Sequence, residues 1–356
     1  MDQQHQAHAP EQHYAGLDVS LDETSVCVLD AKGAVVWRGK CASMPEAIRD
    51  ALNKHAPALV RVGLETGLLS NWLTHKLRGM RLPVVCLDAR HAKAVLKLQI
   101  NKTDANDALG LAQIVRAGWY REVAVKGMDA QTLRLLLVAR AQLVSQRQAV
   151  ANTVRGLLKA FGLRVVAGAQ GPFAPRVREA AEGNDAPLAV VEPMLLVWQA
   201  LREQIDVLDR RLIARAKADE TAKRLMTAPG VGVVVALAYT AVIDDPVRFK
   251  RSSSVGAYLG LTPKRHQSGE GDWTGHISKC GDSPLRGYLF EAAAVLLSRH
   301  PKPCALRTWG LALAKRMGLR RAKVAVARKL AVLLHRLWSR GEDFRWPEPA
   351  ARPAAA

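Results

Sequence analysis

The sequence predicts an α/β domain, then a long helical region, then a mostly α-helical C-terminal domain. Three observations lead to this division. Short apolar strands alternate with helical segments over residues 14–125, the apolar residues take a three-four spacing over 128–224, and a polar segment rich in Gly, Ser and Thr interrupts the helices of 225–345. We expect residues 1–13 and the Pro- and Ala-rich residues 346–356 to be disordered tails.

The first domain opens with three short apolar segments: HYAGLDVS (13–20), TSVCVLD (24–30) and AVVWR (34–38). Turn signals at Asp22-Glu23 and Lys32-Gly33 separate them, so they predict an antiparallel meander. Further elements then alternate: a helix at 44–55, a strand at 59–65, a helix at 68–78, a strand at 82–88 and a helical stretch up to Gln99. The order β-β-β-α-β-α-β-α is that of an RNase H-like fold.

Four acidic residues of this domain are candidates for one site. Asp18 and Glu65 each end a predicted strand, and functional groups of open α/β sheets collect at strand carboxyl ends. Asp104 and Asp107 lie one helical turn apart behind Thr103, a predicted N-cap. Acids in a first turn are also ordinary, because the helix dipole favours them there. The remaining acids have plainer interpretations, Asp22 and Asp30 as turn residues and Asp88 as a strand end or helix cap.

Together the four carboxylates would supply the hard oxygen ligands that Mg²⁺ prefers. Carboxylates so close would repel one another without cations, so the cluster implies a metal. Two such ions can stabilise the attacking and leaving oxygens of a phosphodiester displacement.

The helical region predicts two antiparallel helices, over 132–161 and 188–225, joined by a loop at 166–187. Their apolar stripes fit either intramolecular core or a coiled-coil dimerisation arm, because heptads are not sustained.

The third region begins with PGVG (229–232), a turn typical of helix-hairpin-helix elements, whose glycines let backbone N–H groups approach a phosphate. A polar segment follows, with Ser268 and Ser278 as candidates for a nucleophile. Either serine fits an ordinary loop position, and Ser278 also fits a helix cap. His266 and His276 lie nearby, but no hydrolase triad can be identified from the sequence.

The net charge of +20 indicates a polyanionic partner, with nucleic acid as the default. Thirteen Lys and Arg lie between Arg299 and Arg345, against only Glu342 and Asp343. The five cysteines show no CxxC spacing, which argues against a zinc site or a disulfide framework and favours a reducing cytoplasm. No signal peptide or membrane-spanning run is evident, so we expect a cytoplasmic, nucleoid-associated protein without a membrane partner. His5, His8 and His13 belong to the predicted tail.

Four segments carry a resemblance to a known family: GLDVS around Asp18, GLETG around Glu65, NKTDANDA around Asp104 and Asp107, and APGVG…FKRSSSVGAYLGLTPKRHQSG…ISKCGDSPLR. In this order they resemble the DEDD transposases of the insertion-sequence-110 family. Those recombinases have a RuvC-like N-terminal domain and a C-terminal transposase domain with a serine.

The resemblance implies that Asp18, Glu65, Asp104 and Asp107 bind Mg²⁺ and that Ser268, rather than Ser278, is the nucleophile. It implies that double-stranded DNA is cut at the element ends and at the target. The cut strand would become covalently linked to the serine as phosphoserine. Serine and tetrad would come from different subunits of a homo-oligomer, a dimer or a tetramer in the synaptic complex. A structured non-coding guide RNA, the bridge RNA, would choose the DNA by base pairing.

Two alternatives stay open. A RuvC-like junction-resolving endonuclease would use the same tetrad with metal-activated water, but this leaves the C-terminal domain without a role. A non-catalytic nucleic-acid-binding scaffold would explain the charge, but not four acids within a basic chain.

Overall fold

The computed structural model describes residues 11–97, 101, 103–166, 172–299 and 302–347. The chain divides into two compact units between Lys126 and Gly127. Within the described ranges, no helix combines the length and the apolar character needed to cross a membrane.

The first unit is a five-stranded mixed sheet with helices. Its elements are, in chain order, β1 (His13–Val19), β2 (Glu23–Leu29), β3 (Val35–Ala42), α1 (Pro45–His55), β4 (Leu59–Glu65), α2 (Ser70–Gly79), β5 (Val84–Leu87), α3 (Ala89–Leu96) and α4 (Asp104–Ala117). The strand order is β3-β2-β1-β4-β5. Strands β1, β2 and β3 pair antiparallel, as the turn signals predicted, and β4 and β5 continue the sheet parallel to β1. The predicted order of elements is confirmed; Gln99 lies outside the described residues.

Helices cover the two faces of this sheet. Leu17 of β1 and Leu64 of β4 pack with Leu52 of α1 and Leu73 of α2 in one apolar cluster. Side chains alternate between the faces of a strand, so the residues between these point to the other face, where α4 packs. Tyr14 of β1 belongs to the cluster on that face.

The structure defines the positions of Asp88 and His13 in this unit. Asp88 caps α3, because its carboxylate accepts a hydrogen bond from the Arg90 N–H at 3.0 Å. His13 does not belong to a tail: it begins β1 and is buried, and the Ala58 N–H donates to its Nδ1 at 3.4 Å. The His13 N–H also donates to the Ala58 carbonyl at 2.9 Å, so pairing with β4 explains why the strand starts that early.

The second unit is mostly helical. Its elements are α5 (Met128–Lys159), α6 (Phe173–Ala180), α7 (Asp185–Ala218), α8 (Glu220–Met226), α9 (Val233–Ile243), α10 (Ser254–Tyr258), β6 (Pro263–Ser268), β7 (Gly271–Ile277), α11 (Ser283–Ser298), α12 (Ala305–Met317) and α13 (Leu319–Arg340). Helix α9 lies at the centre of its core, and the buried Tyr239 hydroxyl donates to the Ala331 carbonyl of α13 at 2.7 Å.

Helices α5 and α7 form the expected antiparallel pair, but the second predicted helix, over 188–225, is broken at Asp219, which caps α8. Arg140 of α5 pairs with Asp209 of α7, and Asp129 at the start of α5 pairs with Arg215 near the end of α7. Leu133, Leu137, Leu212 and Ala216 are buried in one cluster, so part of the apolar stripe is intramolecular core.

The predicted loop at 166–187 is wrong in two places. Helix α6 occupies Phe173–Ala180, and α7 already begins at Asp185. Phe173 and Val177 lie one turn apart and pack with Leu158 of α5 and Leu195 of α7, so burial of that face outweighs the surrounding Gly, Pro and Asn. Residues 167–171 of the predicted loop lie outside the described residues.

The predicted C-terminal tail also begins too early. Trp346 packs edge to face against Phe344, at 5.0 Å between ring centroids, and Lys302 Nζ lies 5.7 Å from the Trp346 ring centroid. An aromatic pair of this kind contributes about 0.5–1.5 kcal/mol beyond its buried area, which favours an ordered chain at this position. Residues 348–356 of the predicted tail lie outside the described residues.

Candidate active site

Asp18 and Glu65 lie side by side at one edge of the sheet. Leu17 and Leu64 are paired in the parallel β1–β4 ladder, and each acid follows its leucine directly. Since parallel strands end at the same edge, both acids lie at the carboxyl end of the sheet. By alternation both point to the face on which α4 packs, and both are half-buried.

A pair of glycines brings α4 onto this face. Gly16 and Gly63 are cross-strand partners two residues before the acids. A Cβ atom at Gly16 would lie 2.2 Å from the Ala108 carbonyl oxygen and 2.3 Å from the Ala112 nitrogen. A Cβ atom at Gly63 would lie 2.3 Å from Val115 Cγ1. The helix therefore rests on the strand backbone itself, an approach that only glycine permits.

The direction of α4 places its acids near the other two. Tyr14, early in β1, packs in a cluster with Leu111 and Val115, whereas Gly16 meets Ala108 and Ala112. Strand β1 and helix α4 therefore run in opposite directions, so the carboxyl end of β1 lies near the N-terminus of α4. Asp104 and Asp107, in the first turn, follow at the end where Asp18 and Glu65 lie.

The predicted N-cap of α4 is confirmed. Thr103 Oγ1 accepts a hydrogen bond from the Asn106 N–H at 3.2 Å. Asp104 is exposed and Asp107 is half-buried. Asp104 lines an open groove of about 650 Å³ together with Asp22 and Glu23 and the exposed leucines Leu21 and Leu68. The acidic end of the sheet is therefore accessible to a ligand.

The donor chemistry of the four acids fits a hard divalent cation, and the backbone brings them to one end of the sheet. Their side chains do not form a ready ligand set. Within the described ranges, no group of three or more His, Cys, Asp or Glu side chains is arranged to hold a metal ion. Coordination by all four therefore requires their side chains to reorient.

Ser268 lies at the tip of an exposed β-hairpin. It pairs with Gly271 across a two-residue turn, in which Gly269 has φ +55°. All six residues of β6 are exposed. On this hairpin Arg265 binds Asp272 through two hydrogen bonds, of 2.8 and 2.6 Å. Within the described part of the chain, no His, Asp or Glu side chain is hydrogen-bonded to the Ser268 hydroxyl, so neither His266 nor His276 activates it there.

Ser278 is not a helix cap. It follows β7, is half-buried, and its hydroxyl oxygen accepts from the Cys280 N–H at 3.4 Å. Helix α11 starts later and is capped by Asp282, which accepts from the Leu285 N–H at 2.9 Å and pairs with Arg134. Gly281, with φ +79°, turns the chain between the two positions.

The PGVG segment forms the expected tight turn, between α8 and α9. Gly230 has φ +76°, and a Cβ atom there would lie 2.5 Å from the Ala292 carbonyl oxygen of α11. Conformation and space both require glycine at this position.

A basic groove adjoins the base of the hairpin. Its cavity of about 940 Å³ is lined by Pro263 and Ile277, the first cross-strand pair of the hairpin. Trp309 forms part of an apolar floor, and Lys329 Nζ lies 3.9 Å from its ring centroid. The cations at its rim are Arg321, Arg328, Lys329, Arg336 and Arg345. The sequence showed the basic run but not the floor. Residues 321, 328, 329 and 336 are separated by seven or eight residues, about two helical turns, and this was the available signal for one basic helix face.

Comparison with known proteins defines the class. Residues 15–162 match the model of DEDD transposases of the IS110 type, and residues 222–309 match the model described as the transposase IS116/IS110/IS902 family. The chain belongs to this family of transposases, enzymes that cleave and rejoin DNA.

Full-length relatives agree with that assignment. The chain is 31% identical to "Transposase for insertion sequence element IS1111A" of Coxiella burnetii, over 93% of this chain and 90% of that protein. It is 29% identical to "Probable family 20 transposase" of Pseudomonas aeruginosa, over 93% of this chain and 98% of that protein.

Proposed function

We propose that this transposase exchanges DNA strands through a phosphoserine link formed by Ser268, at a Mg²⁺ site made by Asp18, Glu65, Asp104 and Asp107. The observation that carries the proposal is the approach of α4 to the Gly16–Gly63 pair, which brings four acids to one end of the sheet. The sheet order β3-β2-β1-β4-β5 supports a RuvC-like, RNase H-like domain.

The reaction balances without an outside energy source. The Ser268 oxygen forms a bond to phosphorus, the bond from phosphorus to one sugar oxygen breaks, and that oxygen leaves as a hydroxyl. The serine proton passes to solvent, to which Ser268 is open, and the leaving oxygen takes up a proton from solvent. Attack by a hydroxyl of another strand on the phosphoserine reverses the step, releases the serine and joins the strands. Bound Mg²⁺ would stabilise the charge that develops on the phosphate oxygens.

The exposure of Ser268 supports a site shared between subunits. A serine at a hairpin tip, without a hydrogen-bonded base among the described residues, is suited to act on DNA held at the acidic groove of a second copy. Exposed apolar residues on the helical pair, Leu135 and Val138 of α5 and Leu196 and Val197 of α7, support a homo-oligomer built through these helices. We propose a dimer, with a tetramer in the synaptic complex.

The charge of the second unit supports nucleic-acid partners. It carries 36 of the 52 Lys and Arg but 19 of the 32 Asp and Glu, so 17 of the 20 net positive charges lie there. We propose double-stranded DNA and an element-encoded guide RNA as partners, with the α8–α9 turn as a helix-hairpin-helix-like phosphate contact. RNA that co-purifies with the protein should map beside its own gene; random cellular RNA would contradict the guide.

The decisive experiment traps the covalent adduct on a nicked element-end substrate and maps the labelled peptide. Ser268→Ala should abolish the adduct, whereas the matched Ser278→Ala should retain it. Asp104→Asn removes a charge but little volume, so it should lower the cleavage rate by about 100-fold or more without unfolding the protein.

One result would favour the alternative. If Ser268→Ala still cuts DNA in the presence of Mg²⁺, water is the nucleophile and the junction-resolving endonuclease is the better assignment. An adduct that maps to Ser278 would move the nucleophile to that residue.

A further inference from the structure

The hairpin that carries Ser268 also carries an exposed aromatic pair. His266 and Trp273 are cross-strand partners, and their rings stack with centroids 4.2 Å apart and planes 13° from parallel. Trp273 is 58% exposed. Gly275 lets the indole lie close to the strand, because a Cβ atom there would be 3.2 Å from the ring. One indole face lies on the imidazole, so the exposed area belongs to its other face and edges.

This stack and Ser268 share one side of the hairpin. His266 pairs with Trp273 and Ser268 pairs with Gly271, so alternation sends all four to the same side. Along β6 the positions of His266 and Ser268 are about 7 Å apart. Gly271 has no side chain to cover the serine. The Arg265–Asp272 ion pair lies on the opposite side, where it holds the register without blocking the stack.

The tip itself has no excess of positive charge. Residues 262–283 contain three cations and three anions: Lys264, Arg265 and Lys279, with Glu270, Asp272 and Asp282. Attraction for the phosphate backbone therefore comes from the basic groove at the hairpin base, not from the tip. A strand whose backbone lies in that groove reaches the tip along β6, a span of about 17 Å. Contact at the tip must then use something other than charge, and the exposed indole face is available for it.

We infer that Trp273, supported by His266, stacks on the nucleobase next to the phosphodiester that Ser268 attacks. This inference rests on the proposed nucleophile. Every base has an aromatic face, so stacking on tryptophan tolerates any sequence and suits an enzyme whose target is chosen by other means. Trp273 is a positioning residue: it fixes the strand so that the phosphate faces the serine hydroxyl. The base it holds is unpaired, because a base inside a duplex offers no free face.

The test uses the full-length protein with its co-purified RNA and the nicked element-end substrate of the adduct experiment, with 2-aminopurine next to the cut. Binding is measured by fluorescence in the Ser268→Ala background, and adduct formation is measured with the serine present. Trp273→Ala should abolish quenching and slow adduct formation about 5- to 150-fold. Trp273→Phe should restore most of both. The matched control Gln267→Ala, on the opposite side of the hairpin, should leave both unchanged.

An abasic site in place of the flanking base separates stacking from a general effect on folding. On the abasic substrate the wild type and Trp273→Ala should react at similar rates, because the partner of the indole is gone. If Trp273→Ala reacts like the wild type on the intact substrate, or if its defect persists on the abasic one, the inference is wrong. If Ser268 is not the nucleophile, the results differ from these. The wild type then forms no Ser268 adduct, but the fluorescence of 2-aminopurine is still quenched in the Ser268→Ala background.

Discussion

Replacement of Gly16 by alanine tests whether α4 is held at the sheet by direct backbone contact. The added methyl would lie 2.2 Å from the Ala108 carbonyl oxygen, whereas carbon–oxygen contacts normally begin near 3.3 Å. Helix α4 must therefore recede by about 1 Å. Overpacking of this kind destabilises by about 1–3 kcal/mol. A displacement of about 1 Å at a catalytic group lowers a rate by about 100-fold.

Because the chain has two compact units, a single unfolding curve would not report on the first unit alone. Amide exchange within α4 is therefore the better assay. We expect amides of Asp104–Ala117 to exchange faster with deuterium in Gly16→Ala, and the covalent adduct to form about 100-fold more slowly. Gly79→Ala is the matched control, because a Cβ atom there meets nothing within 4 Å. It should change stability by less than about 0.5 kcal/mol. If Gly16→Ala keeps wild-type protection and rate, α4 does not rest on the β1 backbone.

Two further predictions concern the second unit and the cysteines. Gly230→Ala and Gly162→Ala both place alanine at φ +76°, but only Gly230 faces a backbone carbonyl. Gly230→Ala should therefore lose about 1–3 kcal/mol more protection against amide exchange in the core of the second unit. Equal losses would show that conformation alone matters there. Burial raises the pKa of the Cys86 thiol to about 11, so about one molecule in a thousand is thiolate at pH 8. Iodoacetamide at that pH should label the exposed Cys280 and spare the buried Cys27, Cys86 and Cys304, as peptide mass spectrometry would detect; early labelling of Cys86 would contradict its burial.

The first unit was predictable because its signals are local. The turns at Asp22 and Lys32 predicted the meander, and Thr103 with two acids behind it predicted the start of α4. The contribution of Gly16 and Gly63 was not predictable in this way. A glycine inside a strand normally weakens it, and the helix that these two admit lies some ninety residues from Gly16 and some fifty from Gly63 in the chain.

Less of the second unit could be predicted from the sequence. Both sides of β6 and most of β7 meet solvent, so the alternation that predicts strands is missing there. The Gly269–Gly271 turn was the available signal for the hairpin. For helix α11, by contrast, the sequence does contain a clear start signal. Asp282 before Ser-Pro is a stronger start signal than Ser278, and it was the cap.

The hairpin β6–β7 also bears on what happens between cleavage and rejoining. It is a sheet of only two strands, and such a hairpin alone is marginally stable in water. Opening of its tip would leave the helical core that contains Tyr239 intact, because β6 and β7 contribute no fully buried residue to that core. In the reaction proposed above, a DNA end attached to Ser268 would move with that tip. The covalent link would then act as a tether, free to turn toward a new strand while the rest of the enzyme stays in place.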